Sequence, residues 1–322
     1  MVIYVLFLVC SVGVGLLAAG YGLMVLVRRR ADDSAEKRHH LEKYLYLCTS
    51  AMFTGALIRI VMIPLWFFML HRLIPSIPGA MCLAGVHLNV GAYAWAASSM
   101  KLILPLIYFS WIYITRIDRS TPAQPFFNLR QFLLAPLLLF LFGEAFLDIQ
   151  FLTGLTPSPV TCCTAIFDFN PHGIPPVLTE THWYFVIIYL TALPVQILLL
   201  LSSRTNRWIH LGVVVLSVIL FISLPLALHT KLSPLILNAP FHHCVFCVVQ
   251  NNLWILSGFF LSLSAIYLSF AHGLTAFANP AALHAYPYSR HIKIIIHLLY
   301  AAGVALTAIP TSIHLLSNSG GF

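Results

Sequence analysis

The chain reads as an all-α integral membrane protein of about eight transmembrane helices, with both termini on the extracytoplasmic side. Three observations lead there. First, 60% of its 322 residues are hydrophobic and only 8% are charged. A soluble fold cannot bury that much apolar surface behind so few charges. Second, several apolar runs exceed the roughly 18–20 residues that cross a bilayer as helix. Third, the basic residues sit in alternate connections between those runs, which sets orientation by the positive-inside rule. The net charge of +8 is therefore a topology signal and not the footprint of a nucleic-acid partner.

The first span, 2–27, has no basic residue before it and Arg28, Arg29 and Arg30 directly after it. A cleaved signal peptide has the opposite charge order and a shorter apolar core. The span is read as retained, with its N-terminus outside and with Gly13, Gly15, Gly20 and Gly22 suited to close helix packing. The loop 28–43 is basic and cytoplasmic. The second span, 44–70, returns outward to a loop holding Pro75, Pro78, Gly79 and Cys82.

The third span, 88–115, leads to a cytoplasmic loop with Arg116, Arg119 and Arg130, and the fourth covers 131–151. An outer Cys/Pro-rich loop, 152–182, follows with Cys162 and Cys163. Its prolines mark an ordered loop or cap, not a linker between domains. The fifth span, 183–201, and the sixth, 208–228, flank the inner Arg204 and Arg207. The seventh, 244–270, and the eighth, 292–315, flank the inner Arg290 and Lys293. Thirteen of the 17 Lys and Arg residues fall in these inner connections. Tryptophans and tyrosines near span ends (Trp66, Trp111, Tyr113, Trp183, Tyr184) read as interface anchors. The whole of 1–322 forms one polytopic domain without an evident internal sequence repeat. Its membrane is a plasma or inner membrane.

Chemistry concentrates at His242-His243-Cys244-Val245-Phe246-Cys247. A helix starting there places both sulfurs of the C-x-x-C on one face, and its N-terminus favours thiolate. The topology puts Cys82, Cys162, Cys163, Cys244 and Cys247 on the outer face. Three uses are open. The cysteines form disulfides that staple the outer loops, for example Cys82 to Cys162 or Cys163. They form an active dithiol relay, with Cys244, Cys247, Cys162, Cys163 and Cys82 as the catalytic set, in the manner of membrane thiol oxidoreductases. Or His242, His243, Cys244 and Cys247, with His87, Cys82 or Cys162 and Cys163 nearby, bind copper or zinc, to which soft sulfur and imidazole are suited. A c-type haem is not indicated, because Val248 and not histidine follows Cys247.

Charges also fall inside spans. Arg59, Lys101 and Glu144 lie near mid-membrane, and Asp148 is one turn outward of Glu144 on the same face. An unpaired charge there costs at least about 2.5–3.5 kcal/mol, so these residues face inward and pair. They either lock helices together or line a pocket for an anionic or quinone-like ligand. The leading reading is an extracytoplasmic Cys/His centre for thiol redox or soft-metal handling. It would serve a soluble thiol or metal-carrier partner. The competing reading is a transporter, or a subunit of a respiratory or assembly complex, whose cysteines are only structural.

Overall fold

The computed structural model describes residues 1–29, 35–120, 124–160, 183–202, 206–237, 242–286 and 289–319. It is 90% helical with no strands among the described residues. In hydrocarbon the backbone must satisfy its own polar groups, and a helix does so within a single segment. Among the described residues eight helices are long and apolar enough to cross a membrane, the build of a multi-pass membrane protein.

The first half of the chain contains α1 (Val2–Arg29), α2 (Ala35–Leu73), α3 (Leu83–Val90), α4 (Ala92–Ser120) and α5 (Phe127–Gly154). The second half contains α6 (Tyr184–Leu201), α7 (Arg207–Ala227), α8 (Ser233–Leu237), α9 (Val245–Asn251), α10 (Leu253–Ala278), α11 (Pro280–Ala285) and α12 (Ser289–Ser319). A 3₁₀ turn at Ile74–Ser76 follows α2, and a π-helical turn at Leu228–Leu232 joins α7 to α8.

Two spans expected to be continuous are broken by a single residue. Gly91, at φ +76°, ends α3, and its N–H bonds the His87 carbonyl. Glycine takes that left-handed conformation without the Cβ penalty of other residues. Asn252 separates α9 from α10. Its N–H closes α9 on the Val248 carbonyl, while its side chain accepts from the N–H groups of Trp254 and Ile255. That is an N-cap, which supplies acceptors to the first orphan donors of α10.

One apolar core lies among α1, α2, α4 and α5, around Tyr4, Met62, Trp66, Ala97 and Phe151. Another lies among α6, α7, α10 and α12, around Leu193, Leu220, Ile255, Ile266 and Tyr300. Contacts of α4 with α10 join the two halves. Leu16, Phe132, Leu139, Leu198 and Leu298 point outward and exposed, as lipid-facing residues do. α10 and α12 approach closely at Gly258 and Gly303. A Cβ on Gly258 would meet the Gly303 carbonyl oxygen at 2.8 Å.

The glycines of α1 split in two. Gly15 faces Leu141 and Gly22 faces Cys48, but Gly13 and Gly20 face open space. Trp66 and Trp111 are not interface anchors. Both are fully buried, their indole N–H groups bonding the Ser98 hydroxyl and the Arg130 carbonyl. Tyr113 is also buried, against His272. Trp183 and Tyr184 are exposed.

Candidate thiol centre

The two helix breaks set up the site. Cys82 is the N-cap of α3, in extended backbone, and its carbonyl accepts from the Gly85 N–H. Cys244 is the N-cap of α9, and its carbonyl accepts from the Cys247 N–H. One helical turn therefore carries Cys244 and Cys247 on the same side, facing α3. The Sγ atoms of Cys82 and Cys244 lie 3.8 Å apart. The sulfurs of Cys82, Cys244 and Cys247 all lie within 4.8 Å of one another. Cys82 and Cys244 are each 1% exposed and pack with Ala84 and Phe246, whereas Cys247 is half-buried.

The protonation of the site differs from the expectation. Hydrogen bonding with Cys244 and Cys82, followed by burial, pushes the Cys247 thiol well above its ordinary range. A seven-residue α9 offers little dipole, and thiols sharing one proton network disfavour the anion. No disulfide is seen among the described cysteines, and the stapling reading turns on Cys162 and Cys163. Cys162 and Cys163 lie outside the described residues.

His87 packs beside this cluster, its ring stacked on Phe246 at 5.2 Å. Its Nδ1–H donates to the Leu83 carbonyl at 2.7 Å, so Nε2 accepts from the Ser98 hydroxyl at 2.6 Å. Burial holds its pKa below the ordinary histidine value, and it is neutral. Ser98 in turn accepts from Trp66 Nε1 at 2.9 Å. The Trp66 ring carries the Lys101 ammonium 4.8 Å from its centroid.

Lys101 belongs to the second feature. Its Nζ donates to Glu144 Oε1 and Asp148 Oδ1, both at 2.8 Å. Arg59 Nη1 donates to Asp148 Oδ2 at 3.0 Å, and Tyr108 donates to Glu144 Oε2 at 3.0 Å. All four charges expected to meet do so, and all are buried. Every carboxylate oxygen has a donor, which is the geometry of a lock between α2, α4 and α5. A side-chain network thus runs from the thiol centre to the ionic lock.

Compared with protein-family models, curated proteins and solved structures, the chain finds no match. Function must be read from the site alone.

The expected metal set included His242 and His243, but these imidazoles fall outside the three-residue group. His243 Nδ1–H donates to the His229 carbonyl at 3.1 Å, and the two rings lie 5.9 Å apart. Cys82, expected nearby, is the third member of that group. Cys10 is exposed on α1, and Cys48 donates to the Ala18 carbonyl. His272 and His297 bond Tyr113 and the Lys293 carbonyl. Sequence reading missed the His87–Ser98–Trp66 chain. It also missed Asp118, which pairs with Arg130 Nη1 at 3.0 Å and accepts the Phe126 N–H, tying the end of α4 to the start of α5. Only the spacing of the polar residues within apolar runs hinted at either.

Proposed function

We propose that this multi-pass membrane protein handles a soft d¹⁰ cation, Cu(I) or Zn(II), at an extracytoplasmic cage formed by Cys82, Cys244 and Cys247. The observation that carries the reading is the convergence of three sulfurs within 4.8 Å from two separate elements. Thiolate sulfur is the preferred donor for these ions. At a metal–sulfur distance of about 2.3 Å, tetrahedral ligands stand about 3.8 Å apart and trigonal ones about 4 Å. The Cys82–Cys244 separation of 3.8 Å fits both. Three protein ligands leave a position for an exchangeable fourth, which suits transfer more than permanent storage.

Orientation follows from charge. With the basic connections inside, both termini and the cage face the extracytoplasmic side of a plasma or inner membrane. A soluble metal carrier in that compartment is the natural exchange partner.

The Cys82–Cys244 contact also favours a second reading, dithiol exchange. In it a disulfide of a soluble partner is reduced to two thiols. Cys244 and a neighbouring cysteine pass it two electrons and two protons and become a disulfide. Reduced, purified protein is loaded with Zn(II) and analysed by elemental mass spectrometry, alongside mass-tagging of its thiols. One ion per chain, lost in Cys244→Ser and Cys247→Ser, is the expected result. No retained ion together with a reductant-sensitive disulfide would replace the metal reading with the redox one.

A further inference from the structure

The order of elements in the first half of the chain recurs in the second. Each half has four spans, and the third span of each is broken by one residue near its start. In the first half α3 and α4 are separated by Gly91; in the second α9 and α10 are separated by Asn252. The span before each break ends in a non-α turn, 3₁₀ at Ile74–Ser76 and π at Leu228–Leu232. Each broken span is N-capped by a cysteine, Cys82 or Cys244.

The neighbour relations match as well. α1 packs on α2 and α6 on α7; α4 packs on α5 and α10 on α12. α2 touches α4 and α7 touches α10; α1 touches α5 and α6 touches α12. The halves meet through α4 on α10 and α3 on α9. Each of these contacts joins an element to its own counterpart, as elements beside a two-fold axis do. Four spans per unit keep both units in the same orientation across the membrane, the arrangement of parallel repeats about an axis along the membrane normal.

We infer that the chain is a tandem of two four-span units related by a pseudo-two-fold axis between Cys82 and Cys244, and that a soft cation bound on this seam clamps the units together. The inference rests on the metal reading above and adds the identity of what the ion joins. Cys82 comes from one unit, while Cys244 and Cys247 come from the other. Occupancy therefore couples α3 to α9, and through the one-residue breaks it reaches the paired α4 and α10. Sites at repeat interfaces, built from interrupted helices in corresponding positions, are the arrangement that membrane carriers use.

The test is hydrogen–deuterium exchange on the full chain in detergent, with and without Zn(II), reading peptides from 83–90 and 245–251. The expected result is that Zn(II) slows exchange by about tenfold or more in both segments. In Cys82→Ala the C-x-x-C pair retains weakened Zn(II) binding and protection is confined to 245–251. Wild-type protein that binds one Zn(II) yet protects only 245–251, with affinity unchanged in Cys82→Ala, would overturn the seam while leaving a C-x-x-C metal site standing. Reduced protein that binds no Zn(II) would overturn both. The wild-type arm decides the matter even where the variant fails to fold.

Discussion

Cys82 Sγ and Cys244 Sγ meet at 3.8 Å across 162 residues of sequence. Closing so long a loop has an entropic cost that the packing of α4 on α10 must offset. The contact is therefore a product of the whole bundle and not of local sequence.

Thiol reactivity should report the burial and protonation of the cluster. With a water-soluble maleimide, half-buried Cys247 should label before the buried Cys82 and Cys244. Its rate should go on rising at pH values where an ordinary thiol, of pKa about 8.5, has levelled off. That follows from the upward shift imposed by its sulfur neighbours. Peptide mass spectrometry of labelled samples checks the order, and Zn(II) should slow all three.

Ion binding should be steeply pH-dependent. The sulfurs bind as thiolates, and the Cys247 thiol is held protonated at neutral pH. Each ion caged by Cys82, Cys244 and Cys247 should release up to about three protons, so affinity should rise with pH, by as much as about a thousandfold per unit below the thiol pKa values. The sign is fixed: the raised Cys247 thiol favours the metal-free state as pH falls. Calorimetry in buffers of different ionisation enthalpy counts the protons.

The ionic lock should be sensitive to single changes and tolerant of paired ones. Lys101→Met leaves Glu144 and Asp148 short of their 2.8 Å partner. Breaking a buried pair on one side costs about 3–5 kcal/mol. Thermal unfolding in detergent should show a large loss for Lys101→Met. Changing Lys101 and Glu144 together to neutral residues should recover part of it.

The seam between α10 and α12 offers a packing test. Gly303→Ala places a Cβ 2.9 Å from the Ser262 amide nitrogen and should cost about 1–3 kcal/mol by overpacking. Gly20→Ala, whose Cβ would meet nothing within 4 Å, should be neutral in the same assay.

Hydropathy made the eight spans legible, because each long apolar run has one answer in a bilayer. The partnership of Arg59 and Lys101 with Glu144 and Asp148 was legible too, since unpaired charge at that depth is costly. The breaks at Gly91 and Asn252 were not, because one residue does not interrupt an apolar window. Asn252 carries a signal, since an asparagine just ahead of Leu253 and Trp254 is a helix start, but with Gln250 and Asn251 beside it the same signal fits polar residues inside a helix. Cys82 was placed on the outer face, yet its contact with Cys244 depends on how α3 meets α9. Periodicity contains no such information. For the same reason periodicity did not separate His242 and His243, adjacent to Cys244 in sequence, from the three-sulfur group.

X-ray absorption at the metal edge of reduced protein loaded with one equivalent of Zn(II) tests the cage most directly. Three sulfur scatterers at about 2.3 Å, reduced to two in Cys82→Ala, are the predicted result. A first shell of nitrogen and oxygen alone, or a sulfur count unchanged by Cys82→Ala, would contradict it.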